Sequence, residues 1–205
     1  MRRYCLIAIA ALAFAQTAPK IDLRGDRFKP LTWETMTPAQ KATAQSILSG
    51  DRSSLNGPFN VMLRSPEMAD FEQKFGGQLR FHSSISKKLN EMAIIITAST
   101  WRSQYEWYAH RRAAKDAGLE EAIIQAIAKK TRPASMQPEE EIVYNFCSEL
   151  LTKHEVSDAV FAATKDKFGE RGIVDLMGIL GHYTVVSMML NVDRYPMPEG
   201  VKPEL

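Results

Sequence analysis

The residues best suited to proton chemistry lie close together, in the segment 91–110. Ser103, Glu106 and His110 are spaced by three and four residues, so in a helix their side chains share one face. A carboxylate one turn from an imidazole raises the pKa of that imidazole, and the two groups can exchange a proton with a bound molecule near neutral pH. The spacing therefore predicts an acid/base pair formed by Glu106 and His110.

The same spacing has a simpler interpretation. Glu and His four residues apart are common on solvent-exposed helices, where they have no catalytic role. The surrounding residues are not those of a simple amphipathic helix, because the small residues Ala113 and Ala114 follow the polar strip, and Trp101, Tyr105 and Tyr108 form an aromatic face opposite. Spacing alone leaves both interpretations open.

Glu91 precedes this group in a segment that is apolar nearly all round, KKLNEMAIIITAS. Such a segment predicts a helix that is buried on most sides. A carboxylate inside it needs a partner or becomes neutral, because burying an unpaired charge is costly. We therefore expect Glu91 to face a polar group of a neighbouring helix.

Caps, prolines and glycines predict the other elements. Helices are expected to start at Pro38, Pro66, Lys87, Trp101, Glu120, Pro138, Asp158 and Gly172. We expect the helix from Pro66 to end at Gly76-Gly77, with a short linking helix over 78–83, and the helix from Asp158 to stop at Gly169. The segment 50–64 reads as a loop. No segment alternates as a strand does, so the predicted fold is all-α with one domain.

Residues 1–18 have the build of a secretory signal peptide: Arg2-Arg3, an apolar run from Leu6 to Ala15, and small residues before Gln16. The run is short for a membrane span, although an uncleaved anchor has a similar composition. The prediction is a secreted or periplasmic protein. The apolar segment 172–192 is interrupted by polar residues, so we expect a buried or interface helix there rather than a span.

Removal of residues 1–18 changes the charge and cysteine counts. The chain has 26 basic residues, and losing Arg2 and Arg3 leaves as many basic residues as the 24 acidic ones. A neutral protein without a Lys/Arg cluster is not expected to bind nucleic acid. Loss of Cys5 leaves Cys147 alone, so no internal disulfide and no dithiol chemistry are expected.

The pattern Glu91-x11-Ser103-x2-Glu106-x3-His110, followed by RRAAKDAGL, resembles the carboxymuconolactone decarboxylase family, which includes the alkylhydroperoxidase D type proteins. The likeness runs from about Pro66 to Gly118. The resemblance implies a single-domain, all-α, alkylhydroperoxidase D-like helical bundle that forms homo-oligomers. On this basis we assign residues 36–195 to the domain, 19–35 to a polar N-terminal arm and 196–205 to a C-terminal tail.

The sequence departs from the peroxidase branch of that family at two positions. Where that branch has two redox cysteines, this chain has Ser103 and Glu106. A hydroxyl and a carboxylate cannot form a disulfide, so thiol-dependent peroxide reduction through this motif is excluded. The decarboxylase branch needs no cysteine and keeps Glu and His on one helix face.

The resemblance implies roles for individual residues. Glu106 and His110 would be the acid/base pair, and Glu91 would orient His110 or share its proton. The predicted substrate-binding residues are Ser103, Trp107 and Arg111, with Arg102 and Arg112 as further candidates to hold a carboxylate.

No metal or organic cofactor is implied, and His82 and His154 lack neighbours at metal-ligand spacing. His182, in the last helix, could face the same substrate cavity as Glu106 and His110, but a histidine buried in the core is the commoner case.

Two functions remain open. The first is cofactor-independent decarboxylase, lyase or isomerase chemistry on a small lactone or carboxylic acid. The second is a non-catalytic small-molecule-binding or assembly protein with the same fold.

Overall fold

The computed structural model describes residue 19, residues 21–52 and residues 54–205. The predicted signal peptide and Cys5 lie outside the described residues. Within these ranges the chain forms eight helices and no strand, which confirms the all-α prediction. The helices are α1 (Pro38–Ser49), α2 (Phe59–Met62), α3 (Pro66–Phe81), α4 (Lys87–Trp101), α5 (Gln104–Asp116), α6 (Glu121–Ala128), α7 (Pro138–Lys153) and α8 (Asp158–Asp193).

The central element is α4, which packs against α5, α6, α7 and α8. Its run from Leu89 to Ser99 is buried without interruption, as its composition predicts. Trp107, Phe146 and Leu176 from the surrounding helices complete this core. A helix surrounded by four others is a rigid support for any side chain it carries.

The corner between α4 and α5 differs from the predicted helix over 101–117. Trp101 ends α4, Arg102 adopts the left-handed conformation with φ 50° and ψ 37°, and Ser103 is extended. The Ser103 amide donates to Ala98 O over 2.9 Å, and its carbonyl accepts from the Trp107 amide over 2.9 Å. Ser103 therefore precedes α5 instead of lying on its face.

The prediction that a helix ends at Gly76-Gly77 is wrong, because α3 continues through both glycines to Phe81. The predicted loop over 50–64 also contains the short helix α2. Gly76 is needed for close packing: an added Cβ would lie 2.3 Å from Cε1 and Nε2 of His182 on α8. The glycine allows α3 and α8 to approach each other.

Helix α8 breaks where the sequence predicts a stop, since Gly169 has φ 67° and ψ 179°. By length and composition α8 could cross a membrane, and 50% of its most apolar 18-residue window is buried inside the protein. Partial burial of this kind is also found in the core helices of soluble proteins.

Both terminal segments of the described chain pack on the bundle. In the arm, the Asp26 and Phe28 amides donate to Asp193 Oδ1 over 3.2 and 2.8 Å. Asn60 accepts from the Leu31 amide over 3.1 Å. The arm is thus irregular, as predicted, but is held by buried side chains of α8 and α2.

Candidate active site

His110 lies between two carboxylates. Its Nδ1 hydrogen-bonds to Glu91 Oε2 over 2.6 Å, and its Nε2 is 3.0 Å from Glu106 Oε1. Glu91 comes from α4, whereas Glu106 and His110 lie one turn apart on α5. Each of the three residues is only 4% exposed. The structure therefore brings together the three residues predicted to be catalytic, and the surface-pair interpretation does not apply.

The two carboxylates fix the protonation of His110. A carboxylate can only accept a hydrogen bond, so each imidazole nitrogen that faces one carries a proton. Burial lowers the pKa of His110, but the charges and contacts of Glu106 and Glu91 outweigh burial and raise the pKa to about 9. Burial works to raise the pKa of Glu106, yet the charge of His110 holds that pKa below its usual value. The site thus stores one proton on an imidazolium at neutral pH.

Glu106 and His110 form part of the wall of a cavity of about 360 Å³. Cavities of this size accommodate small organic molecules. The polar side chains of the wall used below are those of Arg52, Arg80, Glu106, His110, His182 and Tyr183. The cavity lies where the loop before α2 meets α3, α5 and α8.

Arg52 and Arg80 are the cationic residues of this wall, and the sequence did not single them out. Arg52 packs over the Phe59 ring and Arg80 over the Phe81 ring, at 5.4 and 5.5 Å. Within the described part of the chain, Nε of Arg52 is buried without a hydrogen-bond partner. Burial lowers the pKa of Arg52, the largest influence on that group. Two guanidinium groups beside an open volume are suited to a carboxylate ligand.

Trp107 and Arg111, predicted to bind substrate, do not line this cavity. Trp107 is buried in the core, and its Nε1 donates to Glu204 Oε2 over 3.0 Å. Arg111 donates to Glu204 Oε1 over 2.8 Å and to Glu121 Oε1 over 2.7 Å. Their partners belong to the C-terminal tail and α6, so the geometry places both residues away from the cavity.

Ser103 is also absent from the cavity wall. Its Oγ is buried and has no hydrogen-bond partner among the residues described. Of the further arginines, Arg102 points to the tail, 3.4 Å from Leu205 O, and Arg112 is 3.8 Å from Asp116 on the surface. Neither replaces Arg52 or Arg80 as a cavity cation.

His182 lies on the cavity wall rather than wholly within the core. Its Nδ1 is 2.6 Å from Glu72 Oε1, a partner 110 positions away in the sequence. The rings of His110 and His182 meet the Tyr183 ring edge-on, with centroids 5.0 and 4.9 Å apart. The imidazole of a second carboxylate–imidazole pair thus lines the same cavity.

Residues that could hold a metal do not converge in the described ranges, where no group of three or more His, Cys, Asp or Glu has suitable geometry. Cys147 is buried in the core, and burial raises the pKa of its thiol. A buried thiol of raised pKa is a poor nucleophile, so it does not supply the chemistry of the missing cysteines.

Comparison with known proteins supports the resemblance read from the motif. Residues 66–144 match the model of the carboxymuconolactone decarboxylase family. The matched region runs from α3 into α7 and contains Glu91, Glu106 and His110. No curated protein matches the chain. The helical architecture is consistent with the alkylhydroperoxidase D-like fold.

Proposed function

Since residues 66–144 are a carboxymuconolactone decarboxylase family domain, we propose that the protein is a cofactor-independent enzyme acting on a small carboxylic or lactone acid. One observation carries the proposal. An imidazolium held between two buried carboxylates borders a cavity that also presents two arginines. This arrangement places a proton donor, the His110 imidazolium, next to a binding site for an anion.

Substrate binding is assigned to Arg52 and Arg80. A carboxylate that enters the cavity supplies an acceptor for Arg52 Nε, which has no hydrogen-bond partner among the described residues, and a counter-charge for Arg80 on the same wall. The partial burial of Arg52 removes competing water, which strengthens the ion pair. Positive charge at this wall also stabilises an enolate formed during the reaction.

The chemical step is proton transfer through Glu106. In a decarboxylation, the bond from carbon to the leaving carboxylate breaks, carbon dioxide departs, and the electron pair remains as an enolate. His110 passes a proton to the ionised Glu106, and Glu106 delivers that proton to the carbon. His110 becomes neutral and is recharged from solvent. The same groups perform a lyase or isomerase reaction if a proton, rather than carbon dioxide, leaves first.

Deuterium exchange tests this function. The protein is incubated in D₂O with γ-lactone carboxylic acids and β-keto acids, and NMR follows deuterium incorporation and carbon dioxide release. We expect exchange or release with at least one acid, reduced about 100-fold or more in Glu106→Gln. Glu155→Gln, at an exposed position, is the matched control. Binding of these acids without exchange or release would instead indicate the non-catalytic binding protein.

Two further proposals concern the setting of the enzyme. We propose that it acts outside the cytoplasm after removal of residues 1–18, which N-terminal sequencing of the natural protein tests. We also propose a homo-oligomer, because Phe71 and Phe75 on α3 and Val174 and Met177 on α8 are exposed apolar side chains. Sedimentation should give more than the monomer mass, and Phe71→Glu should lower it.

A further inference from the structure

We propose that His182 is a second proton-transfer residue of the same cavity and that it acts through Nε2 as a base. The inference rests on the proposed function and deepens it, because it adds a proton-transfer group from a second helix. Glu106 and His110 act from α5, whereas His182 acts from α8. Such a site can remove a proton from one carbon of a bound acid and return a proton to another.

The hydrogen bond to Glu72 fixes the tautomer of His182. Glu72 Oε1 lies 2.6 Å from Nδ1, and a carboxylate only accepts, so Nδ1 carries the proton. Nε2 has no hydrogen-bond partner among the described residues. A histidine oriented by a carboxylate at one nitrogen, with the other nitrogen unpaired, has the arrangement of a general base.

His110 provides the contrast. Both of its nitrogens face carboxylates, so it holds two protons and offers no lone pair. His182 is in ion-pair contact with Glu72 alone among the described residues, and its side chain is 2% exposed. The two imidazoles of the cavity wall therefore differ in the number of carboxylates that contact them. Two titratable groups whose surroundings differ in this way are suited to opposite roles, acid and base.

The charged and titratable groups around His182 come from every element that packs near it. Helix α3 supplies Glu72 and Arg80, and the loop before α2 supplies Arg52. Helix α5 supplies Glu106, and α8 itself supplies Tyr183, whose pKa is raised by burial. Among the described residues, only Glu72 contacts the ring of His182 as an ion-pair partner.

Packing holds the ring in one position. An added Cβ at Gly76 would lie 2.3 Å from Nε2 and Cε1, so the ring packs closely against α3, while His182 also lines the cavity. Tyr183 meets the ring edge-on at 4.9 Å, and Phe75 does so at 6.1 Å. A base needs such a fixed position to reach a substrate proton in a reproducible geometry.

The proposed step is the removal of a proton from carbon. A C–H bond next to the carbonyl of the bound acid breaks, its proton goes to Nε2, and the electron pair stays in the substrate as an enolate. Arg52 and Arg80 stabilise the negative charge. If the bound acid carries a carbon–carbon double bond next to that carbon, the enolate is a dienolate. Glu106, having received a proton from His110, protonates the far end of the dienolate, and the double bond has moved. His182 then loses its proton to solvent, and His110 regains one from solvent.

The first test does not depend on activity. Long-range ¹H–¹⁵N NMR near pH 7 distinguishes the protonated nitrogens of each histidine. We expect His182 to carry its proton on Nδ1 alone and His110 to carry protons on both nitrogens. In Glu72→Gln, the Nδ1–H preference of His182 should be lost. A proton on Nε2 of His182 in the unaltered protein would overturn the proposal.

The second test uses the acids that show exchange. His182→Gln should slow exchange at the deprotonated carbon about 100-fold or more, with a smaller change in KM than in kcat. Glu72→Gln should alter the pH profile of kcat, and His154→Gln, at an exposed position, should change neither.

The outcomes separate the two proposals. If no acid exchanges with the unaltered protein, the proposed function fails, while the NMR result still decides the tautomer of His182. If the unaltered protein exchanges protons and His182→Gln does so within twofold, only the role of His182 fails. Should His182→Gln not fold, Glu72→Gln gives the same decision through the pH profile.

Discussion

Gly76 lies so close to His182 that a Cβ at position 76 would be 2.3 Å from the imidazole Nε2. A Cβ added at the neighbouring Gly77 would point into open space. Both glycines occupy the interior of α3, where replacement by alanine ordinarily stabilises a helix by about 1 kcal/mol. The two positions therefore separate helix propensity from packing.

We predict opposite effects of two alanine substitutions. Gly77→Ala should raise the free energy of unfolding by up to about 1 kcal/mol. Gly76→Ala should lower it by about 1–3 kcal/mol, because the ring of His182 is held by Glu72 and Tyr183 and cannot retreat. Urea denaturation measures both. A stabilising Gly76→Ala would show that α3 and α8 are not packed as described.

The pH dependence of stability should report the protonation of His110. The folded-state pKa is raised from 6.5 to about 9, so the folded protein binds more protons than the unfolded chain between these values. The stabilisation is complete below pH 6.5 and is lost as the pH rises through about 9. Its size is roughly 3 kcal/mol.

Denaturation across that pH window measures the effect. Glu106→Gln should weaken the slope, because one of the two carboxylates that raise the pKa of His110 is gone. Cys147→Ala should keep the slope below the ordinary thiol pKa, since Cys147 is protonated there in both states. A stability that does not fall between pH 6.5 and 9 would contradict the imidazolium assignment.

Glu204 connects the C-terminal tail to α5. It accepts from Trp107 Nε1 over 3.0 Å and from Arg111 over 2.8 Å. We expect Glu204→Ala to lower the free energy of unfolding by about 1–2 kcal/mol, since the buried indole N–H loses its acceptor. Thermal denaturation and tryptophan fluorescence measure this. Glu199→Ala, an exposed position in the same tail, should be neutral, and equal effects at both positions would argue against the contact.

Ser103 has a buried hydroxyl that lacks a hydrogen-bond partner within the described part of the chain. Ser103→Ala should leave the free energy of unfolding unchanged or raise it by up to about 1 kcal/mol, because no hydrogen bond is lost. Ser99→Ala is the matched control, since the Ser99 hydroxyl donates to Ile127 O over 2.8 Å and its loss should cost about 1 kcal/mol. Chemical denaturation of the pair decides the matter. A clear loss in Ser103→Ala would mean that the hydroxyl has a partner.

The sequence predicts those parts of the site that depend on local periodicity. Glu106 and His110 are one turn apart, and the apolar surroundings of Glu91 indicate a buried acid in need of a partner. The pairs that depend on tertiary packing leave no local pattern. Arg52 lies in a loop, and Glu72 meets His182 across 110 positions. Neither the position of Arg52 at the cavity nor the pairing of Glu72 with His182 could be predicted from spacing alone.

Gly76 shows why the prediction of a helix end at Gly76-Gly77 is wrong. Glycine is frequent after helix ends, but it also occurs where two backbones come close. These two uses look the same in a sequence, and only the position of α8 distinguishes them. The break at Gly169 is predicted correctly, because there the glycine is used for its positive φ of 67°, which ends the regular helix. The all-α fold class is predicted from the apolar stripes and the caps of the individual segments.

The corner at Arg102 and Ser103 has a consequence for how such a site can change during evolution. Main-chain hydrogen bonds from Ser103 to Ala98 and from Trp107 to Ser103 define the corner. The Ser103 hydroxyl and the Glu106 carboxylate take no part in these main-chain hydrogen bonds. Mutation can therefore exchange the reactive groups at these positions while the backbone that presents them is inherited unchanged. Replacement of a thiol by a carboxylate at such a corner does not require the loss of the fold.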